Sequence, residues 1–326
     1  MLKDSYNRRI DYLRISITDK CNLKCVYCMP SKGLKHFKDP EIMTDEEIVR
    51  FVRVAHKYGL SKVRITGGEP LMRKNIIGLI SSIKQLGIPE LSLTTNGIML
   101  SGLAGELKKA GLDRVNISLD TMDAGRYKMM TRGGDIARVW KSLEAAERVG
   151  LSPVKINVVP IRDVNDDEIL PFASLTFQKD YHIRFIELMP AVCDEVWRKE
   201  KCVTAKEILE MISTVGSLES FEFRGRGPSR NYRIKGAVGV IGIISPVSDH
   251  FCSFCNRLRL TADGKIRPCL FSKDEIDIKT PMRAGVDDEE IEKLFCRAVQ
   301  IKPQRHLLNE RAGALGHLNT MSKIGG

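Results

Sequence analysis

One repeated unit, a short strand followed by a helical stretch, constrains this chain more than any other feature. Residues 12–17 alternate apolar and polar positions as a strand does, and Thr44-Asp45-Glu46-Glu47 is a capping box opening a helix with Ile48, Phe51, Val52 and Ala55 on one face. The strand pattern returns at 62–66, 90–94, 114–119, 153–159 and 182–188, separated by helical stretches that include 75–86, 102–110 and 136–149. Strands joined by helical crossovers form right-handed βαβ units. The expected fold is therefore α/β, with a parallel sheet either open or curled into a partial barrel. In such sheets chemistry collects at the carboxyl ends of the strands, where Thr18-Asp19-Lys20, Gly67-Gly68-Glu69-Pro70 and Thr95-Asn96-Gly97 fall.

After about Thr214 the pattern changes to short strands and glycine-rich turns, so a second module is expected there. The reading divides the chain into a barrel at 1–214, a C-terminal module at 215–313 and a flexible tail at 314–326 that ends in Gly325-Gly326. The length of 326 residues accommodates one large or two medium domains, and 43% hydrophobic with 29% charged residues excludes disordered and fibrous classes. Lys and Arg number 52 against 41 Asp and Glu, a net charge of +11, so some face or cavity should attract polyanions. An aromatic content of 6% argues against a stacking platform for single-stranded nucleic acid. The first twenty residues hold no apolar run of signal-peptide length, and the most apolar later stretch, 236–247, is short and broken by glycines. The expectation is a cytoplasmic protein without a membrane or nucleic-acid partner, and the composition permits a monomer or a homodimer.

Nine cysteines in a reducing compartment point to metal rather than disulfides, and six of them fall into two tight groups. The first is Cys21-x3-Cys25-x2-Cys28, placed directly after a strand. Three thiolates in eight residues can grip three corners of an iron-sulfur cube and leave one iron open. The competing reading is a zinc loop completed by a distant ligand, although structural zinc favours paired knuckles and four protein ligands. The second group, Cys252-x2-Cys255-x13-Cys269, reads by itself as a zinc ribbon short of one ligand, with His250 or Cys296 as the fourth. Against the ribbon stand Arg257 and Arg259, one strand period apart and hence on one side, where they suit phosphate or a purine. Cys193, Cys202 and Cys296 read as ordinary thiols outside both groups.

Cys21, Cys25 and Cys28, with Tyr27 before the last cysteine and Gly67-Gly68-Glu69-Pro70 after the next strand, resemble the signature of the radical S-adenosylmethionine enzymes. The resemblance implies a 4Fe-4S cluster whose open iron chelates the methionine end of S-adenosylmethionine, and one-electron cleavage to a 5′-deoxyadenosyl radical. With the second triad and the terminal Gly325-Gly326, the chain resembles along essentially its whole length a nucleotide-cyclising branch of that family, which opens molybdenum cofactor biosynthesis. That branch implies an incomplete parallel barrel of six βα units and a second 4Fe-4S cluster on Cys252, Cys255 and Cys269. It also implies GTP as substrate, (8S)-3′,8-cyclo-7,8-dihydroguanosine 5′-triphosphate as product, an external one-electron reductant, and a downstream cyclic pyranopterin monophosphate synthase. By the same resemblance Tyr27, Gly68, Ser118 and Met189 contact S-adenosylmethionine. Arg14, Lys62, Arg64, Thr95, Lys155, Arg184, Arg257 and Arg259 contact GTP, the last two also acting in catalysis, and the Gly-Gly tail reaches toward the active site. A radical enzyme acting on RNA or a peptide, with the second triad as an electron relay, is the alternative.

Overall fold

The computed structural model describes residues 2–30, 32–190, 198–221 and 227–306. The tail at 314–326 and Cys193 lie outside the described residues. Among the described residues no helix is long and apolar enough to cross a membrane.

The barrel strands are β1 (Tyr12–Ser16), β2 (Lys62–Thr66), β3 (Glu90–Thr95), β4 (Arg114–Ser118), β5 (Lys155–Val158) and β6 (His182–Ile186). Each pairs in parallel with the next. The crossovers carry α1 (Asp45–Lys57), α2 (Ile76–Gln85), α3 (Leu100–Lys109), α4 (Ala124–Met130), α5 (Ile136–Arg148) and α6 (Ile169–Gln178). The capping box at α1 is present in full: Glu47 N donates to Thr44 Oγ1 at 3.2 Å and Thr44 N donates to Glu47 Oε2 at 2.8 Å. Three acids in its first turn complement the helix dipole.

After α7 (Ala205–Ser213) come β7 (Leu218–Ser220), β8 (Arg230–Ile234), β9 (Val240–Ile244), β10 (Arg257–Leu260), β11 (Lys265–Arg267) and β12 (Ile276–Asp277), then α8 (Lys279–Arg283) and α9 (Asp288–Gln300). These later strands extend the barrel sheet instead of forming a separate one. The sheet order is β12-β11-β10-β1-β2-β3-β4-β5-β6-β9-β8-β7, with β10 parallel to β1 and β9 parallel to β6. Its two ends do not pair with each other, so the barrel is incomplete.

Side-chain parity decides where the core lies. Leu13, Ile15, Val63, Ile65, Leu91, Leu93, Val115, Ile117, Ile156, Ile183 and Phe185 share one face and are fully buried with the helices in one apolar cluster. The alternate positions are polar apart from Ile186 at the end of β6: Tyr12, Arg14, Lys62, Arg64, Glu90, Ser92, Arg114, Asn116, Ser118, Lys155, Asn157, His182, Arg184, Arg257 and Arg259. Parallel strands covered on both faces ordinarily read as continuous apolar runs. Here the inner face is polar, and it lines a cavity in place of a packed core.

Candidate active site

The first thiol group begins just past the end of β1. Its loop is held in place by backbone bonds from Lys24 N to Thr131 O (3.2 Å) and Val26 N to Met130 O (2.9 Å), and by Arg132 Nη1 donating to Met29 O (2.9 Å). Leu23 N donates to Cys21 Sγ at 3.4 Å and Asn96 Nδ2 lies 3.8 Å from the same sulfur. Burial pushes the Cys21 thiol up to about 11 and Cys25 well above the usual thiol range. Thiols in such surroundings ionise when a cationic centre offsets the charge. Gly67 and Gly68 follow β2 and press against the segment that joins β1 to this loop. A Cβ on Gly68 would lie 2.2 Å from Lys20 O, and one on Gly67 would lie 2.7 Å from Thr18 O. Glu69, fully buried, accepts from Thr95 Oγ1 (2.7 Å), Asn96 N (2.8 Å) and Leu71 N (3.1 Å), which fastens the strand-end loops together. Tyr27 donates to Asp120 Oδ2 at 2.6 Å, and Asp120 Oδ1 accepts from Val159 N at 2.9 Å.

Cys252, Cys255 and Cys269 line the same cavity as Cys21, Cys25 and Cys28. Arg8 supports them from behind: Nη1 donates to Cys252 O (2.7 Å) and Gln304 O (2.8 Å), while Nε pairs with Asp4 at 2.6 Å. Lys302 donates to Arg257 O (2.8 Å) and Pro268 O (2.7 Å). Glu187 is wholly buried and accepts from Ala205 N (2.8 Å), Val247 N (2.9 Å), Ser248 N (3.0 Å) and the Ser248 hydroxyl, so it ties the end of β6 to the turn leading into Cys252. Burial acts to raise the Cys255 thiol, but Arg257 and Lys302 outweigh it and draw the thiol down to about 6. His250 bonds the carbonyl of Pro246 (2.9 Å) and packs edge-on against His306, and Cys296 sits on α9 away from the cavity lining. Among the described residues no three His, Cys, Asp or Glu side chains close around a point as one zinc ion would require. The donor set of each triad, thiols without carboxylates, suits iron-sulfur ligation at three corners.

Strand register aligns the cations. Arg259, Arg14 and Arg64 are lateral neighbours on β10, β1 and β2, and Arg184 lies beside Asn157 on the opposite wall. Gly242 leaves room for it, since a Cβ there would lie 2.8 Å from Arg184 Cγ. Arg64, Lys155, Arg184 and Arg259 are each under a tenth exposed. Among the inner-face residues of β1 to β6 and β10 the one carboxylate is Glu90, which pairs with Lys62 at 3.2 Å and with Arg114. Burial, reinforced by neighbouring guanidinium groups, pulls Arg184 down to about 9 and Arg259 to about 10. Asn157 Oδ1 and Arg184 Nε are buried without a hydrogen-bond partner among the described residues. A cavity with this excess of buried positive charge is completed by a polyanion.

Every site residue expected from the sequence lines this cavity except Lys62 and Lys155. Lys62 is turned toward Glu90, and Lys155 begins β5, deeper in the barrel and beside His182. Thr95 has the opposite parity to Ser92 and Thr94, pairs with Ile117 across the sheet and spends its hydroxyl on Glu69. Arg8, Asp120, Glu187 and Lys302 were not anticipated. Asp4 beside Arg8 apart, their partners are distant in sequence, and no spacing announces them.

Burial, with Arg184, Arg114 and Arg64 nearby, lowers Lys155 to about 5. Below that pH the ammonium is charged in folded and unfolded chains alike, and its burial destabilises the fold in full. Between pH 5 and the usual lysine range the folded chain binds fewer protons than the unfolded one, so this group makes stability rise with pH. Lys155→Met is therefore expected to exceed the parent in stability most at pH 6 and least at pH 9, measured by denaturant unfolding without nucleotide. A gap that does not change with pH contradicts the assignment.

Comparison with known proteins agrees with this geometry. The Radical SAM superfamily model matches residues 15–176, and the Molybdenum Cofactor Synthesis C model matches residues 181–308. GTP 3′,8-cyclase of Moorella thermoacetica is 50% identical over 100% of both chains, and that of Heliobacterium modesticaldum is 47% identical over 99% of both. Among solved structures, Streptococcus suis SuiB bound to S-adenosylmethionine superposes with a TM-score of 0.62 at 16% identity, covering 82% of this chain and 63% of that one. Methylornithine synthase (PylB) superposes at 0.50 with 17% identity, covering 63% of this chain and 62% of that one. This chain thus spans under two thirds of either solved structure, and at that identity the likeness concerns the fold. With full-length relatives at this identity and a site of matching chemistry, the chain belongs to the GTP 3′,8-cyclase family of the radical S-adenosylmethionine superfamily.

Proposed function

We propose that the chain cyclises GTP to (8S)-3′,8-cyclo-7,8-dihydroguanosine 5′-triphosphate, the first step of molybdenum cofactor biosynthesis. The observation that supports this most is the single cavity shared by two thiol triads and a buried row of guanidinium groups. Members of this superfamily bind S-adenosylmethionine and a 4Fe-4S cluster, which Cys21, Cys25 and Cys28 would hold here. When bound, the pair supplies the one-electron chemistry that starts the reaction.

The protein's own share is binding, orientation and electrostatics. The Gly67-Gly68 backbone offers close approach to the methionine end of S-adenosylmethionine, with Tyr27, Ser118 and Met189 around it. Arg14, Arg64 and Arg184 neutralise the triphosphate in the depth of the barrel, with Lys62 able to leave Glu90 and Lys155 able to take up a proton once phosphate oxygens stand beside it. Arg257 and Arg259 stand beside the second triad, where they orient the base and stabilise charge that develops on it. These cations lie inside the barrel, within reach of a small polyanion, whereas an RNA-modifying enzyme needs a basic track on its surface. Residues 1–214 form the catalytic barrel in this reading. Residues 215–313 act as the module that places a second 4Fe-4S cluster against the guanine on Cys252, Cys255 and Cys269. An external one-electron donor and the downstream synthase complete the set of partners, and the reaction takes place in the cytoplasm.

The test joins product to metal content. Anaerobically purified protein given GTP, S-adenosylmethionine and a reductant should form the cyclised triphosphate and 5′-deoxyadenosine together. It should carry about eight irons per chain, falling to about four when Cys252, Cys255 and Cys269 are all changed to Ala, with product lost. About four irons plus one zinc that the substitutions remove would refute the second cluster.

A further inference from the structure

One buried polar group on the inner face is used neither by the thiol chemistry nor by the cation row. Tyr12 lies on β1 in register with Arg257 on one side and Lys62 on the other. It is 5% exposed, and its hydroxyl, fully buried, has no hydrogen-bond partner among the described residues. Buried hydroxyls are nearly always partnered, because an unmade bond leaves the lost hydration without return. The side chain lines the cavity, and Arg64 lies over the ring with its guanidinium carbon 5.4 Å from the centroid. The missing partner therefore belongs to whatever occupies the cavity.

The surroundings narrow its chemistry. Burial by itself would raise the phenol, but Arg64, Arg14, Arg257 and Arg114 outweigh it and hold it below the usual tyrosine range. Such a phenol is a strong donor, and the neighbouring cations repel a cationic partner and draw an anionic oxygen. It stands with Arg64 and Lys62, the groups assigned to the triphosphate above.

We propose that Tyr12 is a substrate-contacting residue whose hydroxyl donates a hydrogen bond to a phosphate oxygen of the bound nucleoside triphosphate. The inference rests on the GTP reading and adds a neutral donor to its cationic phosphate site. Tyr12→Phe keeps the ring and its stacking with Arg64 and removes only the oxygen. GTP binding by equilibrium dialysis, on cluster-loaded protein without reductant, is expected to weaken about tenfold or more, while guanosine binds both proteins alike and the melting temperature does not fall. Equal GTP affinity in the two proteins overturns the proposal. An equal loss for guanosine and GTP also overturns it, because the hydroxyl then meets the nucleoside. Parent protein that binds no GTP overturns the substrate reading instead.

Discussion

Gly68→Ala is expected to lower 5′-deoxyadenosine formation by roughly a hundredfold or more, the scale on which a misplacement of about 1 Å acts. The added methyl would fall 2.2 Å from Lys20 O, 2.6 Å from Lys20 C and 2.8 Å from Asp19 O. All three are backbone atoms, so no side chain can swing aside to relieve the contact. Lys20 immediately precedes Cys21, and Glu69 N donates to Lys20 O at 2.8 Å, so the strain passes in both directions into the thiol loop and the Glu69 clamp. The barrel core lies on the other face of the sheet and should survive. Iron content and unfolding temperature, measured beside S-adenosylmethionine cleavage, check this. A variant that cleaves at the parent rate shows that the chain tolerates the methyl and that the close approach has no role.

Arg64→Met should separate function from stability. Arg64 is buried against the Tyr12 ring, and its Nε donates to Ser92 Oγ at 3.3 Å. Burial, with Arg114 and Arg257, lowers its proton affinity against the opposing pull of Tyr12 and Glu90. In the nucleotide-free protein this guanidinium is a buried charge among like charges, which destabilises the fold. Against a triphosphate it becomes a charge-assisted partner worth about 3 kcal/mol, or on the order of a hundredfold in affinity. The methionine variant is therefore expected to bind GTP about a hundred times more weakly and, without nucleotide, to melt higher than the parent. Equilibrium binding and thermal unfolding test the two signs independently. A loss of affinity below threefold removes Arg64 from the phosphate site, and a lower melting temperature shows that its charge is compensated in the fold.

Several elements are legible in the sequence alone. The alternation at 12–17 and its recurrences located β1 to β6 within a residue or two at most boundaries, because period-2 patterning is local and the inner face is polar enough to make it visible. The thiol spacing and the Gly-Gly-Glu-Pro segment located the first site for a similar reason, since ligands from one short loop must lie close in sequence. The helix α9 was not anticipated, although Asp287 caps it and Ile291, Phe295, Ala298 and Val299 form its buried stripe. The glycine-rich turns before it concealed a pattern that was present.

What the sequence determined alone is the set of short-range features: the strand and helix periods, the two thiol triads, the cationic positions one strand period apart, and through them the chemical class. The tertiary structure decided which of these meet. Parallel pairing of β10 with β1 brings Arg259 beside Arg14, although they are 245 positions apart, and Glu187 joins β6 to the turn before Cys252. It also decided that Lys62 faces Glu90 and that Thr95 serves Glu69. The physical reason is that register and hydrogen-bond partner depend on sheet closure over long chain separations. Local propensity records which face a residue takes, whereas only the packed sheet sets which residue stands next to it.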